Sequence, residues 1–408
     1  MLLRRLSVRS SARSAPRTRY RISLTFEGWC YLGIAAFILA GAITRQINLL
    51  MILFGMLAGA MVMCWRIVKK MLRKIEVRRR LPDSISAGDL LVVEFTAVNR
   101  RRRLPSWALE ITDRIVRESS GRRRSPLLAQ TLVSYLPAGQ SRTASYRGRL
   151  VERGRYRFGP LQVSARFPLG LFHYRMITDQ YDSLIVFPRV GRLLHGWKRL
   201  EQAAEAGSGK TSRRQGLHEG EFYGLRDWRS GDSRRWLHWR TSARRQTPVV
   251  RQFEQQRHQD LAVVLDLWQP DQPRPDQADA VELAVSFVAT VVADLCRGGG
   301  RWLYVAANGR EPWLESGPTS TAMLHEVMRR LALSEPASRD DLQSTLSNVL
   351  DRIRRGTQVV VVSTHPVYLN DQRRFGEIWR DPRRRAWLTK VRTFDTGDAS
   401  LGEFFRIE

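Results

Sequence analysis

The stretch WCYLGIAAFILAGAITRQINLLMILFGMLAGAMVMCW, residues 29–65, determines how the chain is organised. It contains two apolar runs, residues 29–43 and 47–65, which a polar step at residues 44–46 separates. Each run approaches the length that an α-helix needs to cross a hydrocarbon core about 30 Å thick. The two runs therefore predict a transmembrane helical hairpin within residues 24–66.

Basic residues flank this hairpin on both sides. A basic arm at residues 1–23 contains many arginines and no acidic residue, and the stretch 66–80 is also rich in arginine and lysine. By the positive-inside rule both flanks are expected in the cytoplasm and the short turn outside. A cleaved signal peptide with a weak cleavage site at residues 40–42 remains an alternative. Two buried core helices are another, although the cationic flanks argue against it.

The composition is strongly basic, with 68 Lys and Arg against 39 Asp and Glu and a formal net charge of +29. Such an excess indicates an acidic partner, which is anionic lipid, nucleic acid or an acidic protein surface. Charge alone does not choose among these partners. The length of 408 residues allows two globular domains besides the membrane anchor.

Residues 67–190 carry a pattern of short strands. The run LLVVEFTAV at residues 90–98 is typical, and turn signals that contain glycine and proline separate the runs. Further runs rich in β-branched and aromatic residues occur at 107–111, 132–135, 156–158 and 184–187. This spacing predicts a β-sandwich-like domain.

Residues 259–408 alternate between strand and helix patterns. The continuous apolar run at 261–265 is typical of a strand that is buried on both faces of a parallel sheet. Further strands are predicted at 302–306, 358–362 and 391–394, with helices at 278–296 and 342–353. The C-terminal part is therefore expected to be an open α/β domain.

Residues 191–258 connect these two domains. Their first part, to about Gly216, is polar and rich in small residues, which predicts a linker or flexible loop. Gly207, Lys210 and Thr211 resemble the tail of a phosphate-binding loop, but Ala204 stands where that loop requires glycine. We therefore expect no nucleotide site here and no cofactor.

The second part, EFYGLRDWRSGDSRRWLHWRTSARRQTPVVRQFE at residues 221–254, mixes arginines with aromatic residues. Arginine beside aromatic rings suits stacking on bases and binding of phosphates. It equally suits an internal network in which Asp227 and Asp232 accept arginine hydrogen bonds and the tryptophans fill a core. The residue chemistry favours structural or protein-binding use, because the acidic residues would repel a phosphate backbone.

The order of residues in this segment resembles the signature of domain of unknown function family 58, DUF58, and we call residues 221–254 the signature segment. Trp228 replaces the tyrosine that is usual in the family, and His238 stands where an aspartate is common. Proline-containing motifs in the β-rich region also resemble the family. The positions that match the signature, and that we treat as candidate interaction residues, are Phe222, Leu225, Arg226, Gly231, Asp232, Arg235, Trp239, Ala243, Arg244 and Glu254.

The resemblance implies that the C-terminal domain has a von Willebrand factor A-like fold. Such a fold can bind a divalent cation through an Asp-x-Ser-x-Ser motif at the end of its first strand. Here Asp266 is present, but Trp268 and Pro270 replace the two serines. One carboxylate makes a poor magnesium site. We therefore expect a degenerate site and no metal.

The resemblance also implies a function. Members of the family are bacterial proteins that are often associated with MoxR-type AAA+ ATPases in the assembly or activation of other proteins. We expect a non-enzymatic, multi-pass scaffold of the inner membrane, with both termini and the soluble domains in the cytoplasm and with anionic lipid around its anchor. The alternative from another class is a membrane-associated nucleic-acid-binding protein. No compact catalytic constellation indicates an enzyme.

Overall fold

The structure, a computed structural model, divides into two compact units between Phe187 and Pro188. The residues that it describes are 18–119, 125–208, 221–230, 232–254, 259–354, 356–388, 390–397 and 399–407. Most of the predicted basic arm and the end of the phosphate-loop candidate therefore lie outside the described residues. Of that candidate, Gly207 and Ser208 close a helix.

Two long apolar helices follow the first strand of the first unit. They are α1 (Phe26–Arg45) and α2 (Asn48–Met71), with 20 and 24 residues. At 1.5 Å per residue they measure about 30 Å and about 36 Å. Both are long and apolar enough to cross a membrane, and both extend beyond the predicted apolar runs.

Most side chains of this helix pair face outward. In α1 the buried residues are Gly28, Ala35 and Ala42, which are small. In α2 burial is confined to the last turns, at Cys64, Val68 and Met71. A pair of core helices in a soluble protein would be buried over much of their length, so this exposure fits helices that lie in lipid.

The rest of the first unit consists of strands, as the short apolar runs predict. They are, in chain order, β1 (Thr18–Leu24), β2 (Ile75–Arg80), β3 (Ile85–Ser86), β4 (Leu90–Asn99), β5 (Ser106–Glu118), β6 (Leu127–Leu136), β7 (Ser141–Arg149), β8 (Gly154–Ala165), β9 (Phe172–Thr178) and β10 (Asp182–Phe187).

These strands form two sheets. The three-stranded sheet has the order β2-β4-β7, and the seven-stranded sheet contains the other strands, with β8 at its centre. Strand β5 pairs along one side of β8, while β9 and β10 pair with the two halves of its other side. Alternate residues of both sheets enter one shared core, which also takes in Val68 and Leu72 from the end of α2.

A buried ionic network joins the two sheets. Arg79 on β2 pairs with Asp113 on β5 and, at 3.1 Å, with Asp182 on β10. The side chains of Arg79 and Asp113 are fully buried. Tyr146 on β7 donates a hydrogen bond of 3.2 Å to Asp113. Burial raises the pKa of Asp113, and the guanidinium of Arg79 opposes that shift.

The second unit alternates strands and helices over most of its length. Its elements are, in chain order, β11 (Arg192–Leu193), α3 (His195–Ser208), β12 (Glu221–Asp227), α4 (Trp239–Arg245), β13 (Val249–Glu254), β14 (Leu261–Asp266), α5 (Pro275–Gly298), β15 (Trp302–Asn308), β16 (Trp313–Pro318), α6 (Thr321–Leu333), α7 (Leu342–Arg352), β17 (Gln358–Ser363), α8 (Gly376–Arg380), α9 (Pro382–Leu388), β18 (Arg392–Asp395) and β19 (Phe405–Arg406).

Five of these strands form a mixed, mainly parallel sheet in the order β16-β15-β14-β17-β18. Only β16, at one edge of this sheet, runs antiparallel to its neighbour. All six residues of β14 are buried, as expected for a strand covered on both faces. The predicted elements of this domain correspond to β14, α5, β15, α7, β17 and β18.

The start of the predicted linker belongs to the packed second unit. Strand β11 pairs with β19, which ties residues 192–193 to the C-terminal end. Trp197 of α3 is buried and its ring lies 5.6 Å from Phe287 of α5 and 6.2 Å from Phe394 of β18. Composition missed this anchor because two residues, Trp197 and Leu200, hold an otherwise polar helix.

Candidate functional site

The signature segment forms an antiparallel ribbon with a structured loop. Strands β12 and β13 pair with each other, with Leu225 opposite Arg251 and Arg226 opposite Val250. The loop between them contains a short 3-10 turn at Arg234–Trp236 and the helix α4. Val249 and Val250 are buried, so the ribbon is anchored through β13.

An ion pair braces this loop. The guanidinium of Arg226 donates two hydrogen bonds of 2.7 Å to the two carboxylate oxygens of Asp232. The backbone N–H of Arg229 donates a third, of 2.9 Å, to the same carboxylate. These bonds, led by that from Arg226, lower the pKa of Asp232. The arrangement matches the internal network that the sequence allowed for Asp232.

His238 directly precedes the helix α4. Its Nδ1 accepts a hydrogen bond of 3.3 Å from the backbone N–H of Thr241 and lies 2.8 Å from the Thr241 hydroxyl. A side chain that accepts from a first-turn N–H is an N-cap, a position that aspartate favours. His238 thus provides the acceptor that an aspartate would provide at this position.

Trp239 is exposed over 70% of its surface, so the expectation that it fills a core is wrong. The helix α4 has only seven residues, so only one short side of it can face the buried strand β13. Trp239, its first residue, is not on that side. Ser242 on the same helix faces that strand instead and accepts a hydrogen bond of 2.9 Å from the N–H of Val249. Trp239 therefore presents a large aromatic surface to the surroundings.

Several arginines accompany Trp239 at the surface. Among the residues that the structure describes, Arg234, Arg240 and Arg244 have no carboxylate partner. We call the exposed Arg/Trp set the residues Arg229, Arg234, Arg235, Trp239, Arg240, Arg244 and Arg245, all of which are exposed. This set combines positive charge with aromatic surface, which suits an acidic partner.

The remaining predicted signature residues divide into two groups. Leu225 and Arg226 are partly buried and belong to the ribbon, and Ala243 is exposed on α4. Gly231 and the side chains of Phe222 and Glu254 lie outside the described residues. The structure therefore brings the described signature residues into one ribbon and its loop.

A second candidate site lies where the parallel strands of the second unit end. Asp266, Asn308 and Ser363 are the last residues of β14, β15 and β17, and both Asn308 and Ser363 stand beside Asp266 in the strand register. Along the chain, β15 and β16 are added on one side of β14, and β17 and β18 are then added on its other side. The order of the strands therefore reverses at β14. Open α/β sheets bind ligands outside the carboxyl ends of their strands at such a reversal.

Hydrogen bonds occupy both carboxylate oxygens of Asp266. Asn308 Nδ2 donates to Oδ1 at 2.9 Å, and Ser363 Oγ donates to Oδ2 at 3.0 Å. Desolvation raises the pKa of this fully buried carboxyl, and the bond from Asn308 opposes the shift. The role of Asn308 was not predicted, although a polar residue directly after a buried apolar run was the signal for it.

A chain of hydrogen bonds runs from the surface to Asp266. Arg374 Nη2 lies 3.0 Å from His365 Nε2, and His365 Nδ1 lies 3.2 Å from Ser363 Oγ. A guanidinium can only donate, so Nε2 accepts and the proton of the ring sits on Nδ1. Each group in the chain thus donates to the next, and the chain ends on the carboxylate.

The same residues do not form a catalytic triad. In a triad the histidine lies between the nucleophile and the carboxylate. Here Ser363 is buried and lies between His365 and Asp266, where its hydroxyl proton is committed to the carboxylate. The arrangement is suited to hold three strand ends together.

The geometry around Asp266 also bears on the expectation that this site binds no metal ion. Trp268 donates its indole N–H to the backbone oxygen of Ser338 at 2.9 Å, and it offers no side-chain oxygen toward Asp266. Within the described part of the chain, no group of three or more His, Cys, Asp or Glu residues is placed to hold a metal ion. The degenerate metal site at Asp266 stays a prediction that metal titration can test.

An open cleft of about 620 Å³ lies next to this cluster, and we call it the strand-end cleft. Trp268, Gln277, His365, Tyr368 and Asp395 are among the residues that line it. Trp268 and His365 have ring centroids 5.0 Å apart, and Tyr368 is 73% exposed. The lining is both polar and aromatic, so the cleft could accept a peptide side chain or a small polar ligand.

In a comparison with known protein families, one family covers both most of the signature segment and the five-stranded sheet. Residues 224–403 match the family described as "Protein of unknown function DUF58". This stretch is a DUF58 domain. The match covers most of the signature segment and the five-stranded sheet, so both candidate sites lie inside the DUF58 domain.

A curated relative extends the similarity toward the N-terminus. The chain is 25% identical over 293 residues to the uncharacterized protein YeaD of Bacillus subtilis (strain 168), which covers 71% of this chain and 70% of the relative. An alignment of that length must include residues outside the DUF58 domain.

Solved structures resemble the chain only remotely. The Pseudomonas fluorescens alkylpurine DNA glycosylase AlkC aligns with a TM-score of 0.21 at 14% identity, covering 29% of this chain and 32% of that one. The Bacillus subtilis sporulation control protein Spo0M aligns with a TM-score of 0.18 at 9% identity, covering 38% and 58%. The chain spans less than two thirds of either protein, and scores this low carry no argument about fold or function.

Proposed function

We propose that this protein is a non-enzymatic interaction scaffold, anchored by its helix hairpin in the inner membrane of a bacterium. Its soluble part consists of a β-sandwich-like domain and a von Willebrand factor A-like DUF58 domain. The sheet order supports the second assignment, because it places three strands on one side of the chain reversal and two on the other, as doubly wound folds do. The partner that we propose is a MoxR-type AAA+ ATPase, with which the scaffold assembles or activates other proteins.

The observation that carries this proposal is the exposed Arg/Trp set. Exposed tryptophan and arginine are the residue types that most often dominate binding energy at protein interfaces. The ion pair of Arg226 and Asp232 and the cap by His238 hold the loop in one conformation, which reduces the entropy lost on binding. The bracing groups thus serve to present the surface residues.

Pairing of β1 with β9 supports the topology independently of charge. Residues from Thr18 to Leu24 pair with strand β9, so the chain before α1 and the chain after α2 lie in one sheet. Both ends of the hairpin must then lie on the same side of a membrane. With the positive-inside rule this side is the cytoplasm.

The test is binding of the purified full-length protein, in detergent or nanodiscs, to a purified MoxR-type ATPase of the same cell. Trp239→Ala should weaken binding by at least about 2 kcal/mol, or roughly thirtyfold in Kd, as expected for a hot-spot tryptophan. Tyr368→Ala is the matched control, since Tyr368 is an equally exposed aromatic residue in the strand-end cleft. Loss of binding in Tyr368→Ala alone would move the docking site to the cleft.

The same set also supports the alternative of a nucleic-acid-binding protein. Arginine and tryptophan can bind phosphates and stack on bases. Nuclease treatment of native membrane extracts separates the two proposals, because only a nucleic-acid complex should lose its partner. Binding to single-stranded nucleic acid that falls steeply with salt, and that Trp239→Ala abolishes, would favour the alternative.

A further inference from the structure

Two loops of the first unit hold the ends of the helix hairpin. In the 166–171 loop, Gly170 and Leu171 accept hydrogen bonds of 2.7 Å and 3.0 Å from the hydroxyl of Thr25, which caps the start of α1. In the 100–107 loop, which we define to include the first two residues of β5, Arg101 donates to the backbone oxygen of Lys70 at 2.8 Å and Ser106 donates to that of Met71 at 3.0 Å. Both loops therefore lie beside the ends of the hairpin that join it to the strands of this unit.

The 166–171 loop also reaches along α2 toward the apolar part of that helix. The backbone of Leu169 lies beside the Cys64 side chain. Cys64 precedes the basic residues Arg66 and Lys69 and lies seven residues before Met71, which is about 10 Å along a helix. Leu169 is thus level with the boundary between the apolar and the basic parts of α2.

Several exposed side chains of these loops are apolar or aromatic. Leu104 and Leu169 are exposed over 49% and 57% of their surfaces. Trp107 stacks on Phe167 with ring centroids 5.2 Å apart, which joins the two loops into one surface. We call these loop residues, together with Tyr135 beside Trp107, the loop patch.

Tryptophans of the helices occupy a similar level. Trp29 lies in the first turn of α1, and Trp65 is next to Cys64 on α2. Both are exposed, and Lys69 lies over the Trp65 ring at 5.0 Å. Tryptophan is enriched at membrane interfaces, where its ring sits among the headgroups.

Positive charge surrounds the loop patch. The exposed basic residues of the two loops, of the end of α2 and of the turn after it are Arg66, Lys69, Lys70, Arg73, Lys74, Arg100, Arg102, Arg103 and Arg166. Arginine and lysine next to a membrane-spanning helix attract anionic lipid. An apolar patch that is rimmed by cations and continuous with the membrane helices matches an anionic bilayer surface in both chemistry and position.

We propose that the 100–107 and 166–171 loops lie in the headgroup layer of an anionic membrane, with Leu104, Trp107 and Leu169 inserted at the edge of the hydrocarbon core. This inference rests on the proposed membrane anchoring of the hairpin. The first unit then meets the membrane through a surface of its own as well as through α1 and α2.

Photocrosslinking of the full-length protein in proteoliposomes tests the inference. A benzophenone amino acid would replace Leu104, Leu169 or the control residue Leu90. Leu90 is 54% exposed and is also a leucine. It lies nine residues along β4 from Asn99, which contacts the 100–107 loop through the backbone oxygen of Leu104, so it is about 30 Å away from that loop.

We expect lipid adducts at positions 104 and 169 several times more abundant than at position 90. Addition of phosphatidylglycerol to phosphatidylcholine vesicles should increase these adducts, and Arg102→Glu with Arg103→Glu should reduce them. Adducts to a second copy or to another protein at both positions, or lipid yields no higher than at position 90, would overturn the inference.

Alkaline carbonate extraction of the same membranes separates this result from the proposed anchoring. If carbonate releases the protein, the hairpin does not span the membrane and both proposals fail. If the protein is retained but positions 104 and 169 give no lipid adducts, the anchoring stands and the loop inference alone is wrong.

Discussion

Asp266 is a fully buried carboxyl of the second unit, so its ionisation state affects folding. Because burial raises its pKa in the folded protein, the folded state holds this proton more tightly than the unfolded chain does. Its contribution to the free energy of unfolding is therefore greatest at low pH and is lost as the pH rises through the folded-state pKa.

Two substitutions test this role of Asp266. Asp266→Asn keeps an acceptor for Asn308 without a buried charge, so its melting temperature at pH 7 should equal or exceed that of the wild type. Asp266→Ala should destabilise by about 1–3 kcal/mol, because the donors of Asn308 and Ser363 lose their acceptor. Thermal denaturation between about pH 4 and pH 7, spanning the usual carboxyl range and above, measures both. A wild-type stability that rises over this range relative to Asp266→Asn would contradict the argument.

The buried pair of Arg79 and Asp113 supplies a second residue-scale prediction. Arg79→Ala leaves the Asp113 carboxylate buried without its cation and should cost about 3–5 kcal/mol. The double variant Arg79→Met with Asp113→Leu should recover much of that loss, because an apolar pair of similar volume needs no desolvation of charge. A double-mutant cycle in urea measures both. A double variant as unstable as Arg79→Ala would mean that the bonds of Arg79 to Asp182 and to backbone oxygens matter more than the pair itself.

In the signature segment, the sequence predicted the bonding role of Asp232 better than the burial of Trp239. The acceptor role of Asp232 follows from carboxylate and guanidinium chemistry, which is local. The exposure of Trp239 depends on which side of a seven-residue helix faces β13, and neither composition nor periodicity over so short a helix fixes that direction. Thermal stability of Trp239→Ala should therefore stay within about 0.5 kcal/mol of the wild type, as for other surface changes.

The helix α4 depends on its first cap. His238→Ala removes the acceptor for the N–H of Thr241 and should destabilise the helix by about 0.5–2 kcal/mol. His238→Asp should restore it, because aspartate is a favoured N-cap and adds a negative charge at the helix start. Hydrogen exchange at the amide of Thr241 reports the change directly, with the amide of Arg229, which donates to Asp232 outside α4, as an internal control in the same segment. Equal protection of Thr241 in all three proteins would show that the cap contributes nothing.

Strands were predicted where their side chains are apolar and missed where arginines alternate along them. Sequence patterns located β4, β14, β15 and β17 closely, because each contains a run of apolar residues. In contrast, β1 (TRYRISL) and β7 (SRTASYRGR) contain few apolar residues, and partner strands from distant parts of the chain determine their pairing. Long-range pairing of that kind leaves no local pattern to read.

The membrane topology is the main prediction for the whole molecule. A cysteine in place of Gln46 should react with an impermeant maleimide added outside intact cells, because Gln46 ends α1 at the turn of the hairpin. A cysteine in place of Arg21, on β1, should react only after the membrane is made permeable. Labelling of both from outside would contradict the paired arrangement of β1 and β9 on the cytoplasmic side.

The organisation of the molecule into a hairpin, a β-rich region and an α/β domain was evident from the sequence. Apolar length, strand periodicity and the alternation of strands and helices each predict one of these parts. The position of β1 and the packing of α3 against α5 were not evident, since both rely on contacts between residues that are far apart in the chain. The function and the partner are proposals because docking surfaces have no periodic pattern in the sequence.

The pairing of β1 with β9 also constrains how the protein is made. The two paired residues closest in sequence, Leu24 and Phe172, are 148 positions apart, and the hairpin is synthesised between them. At about 5–20 residues per second the first strand waits roughly seven to thirty seconds for its partner. A waiting strand could pair with other chains, and charged side chains are a known protection against that. Arg19 and Arg21 are suited to this protection, because β1 lies at one edge of the seven-stranded sheet in the described part of the chain.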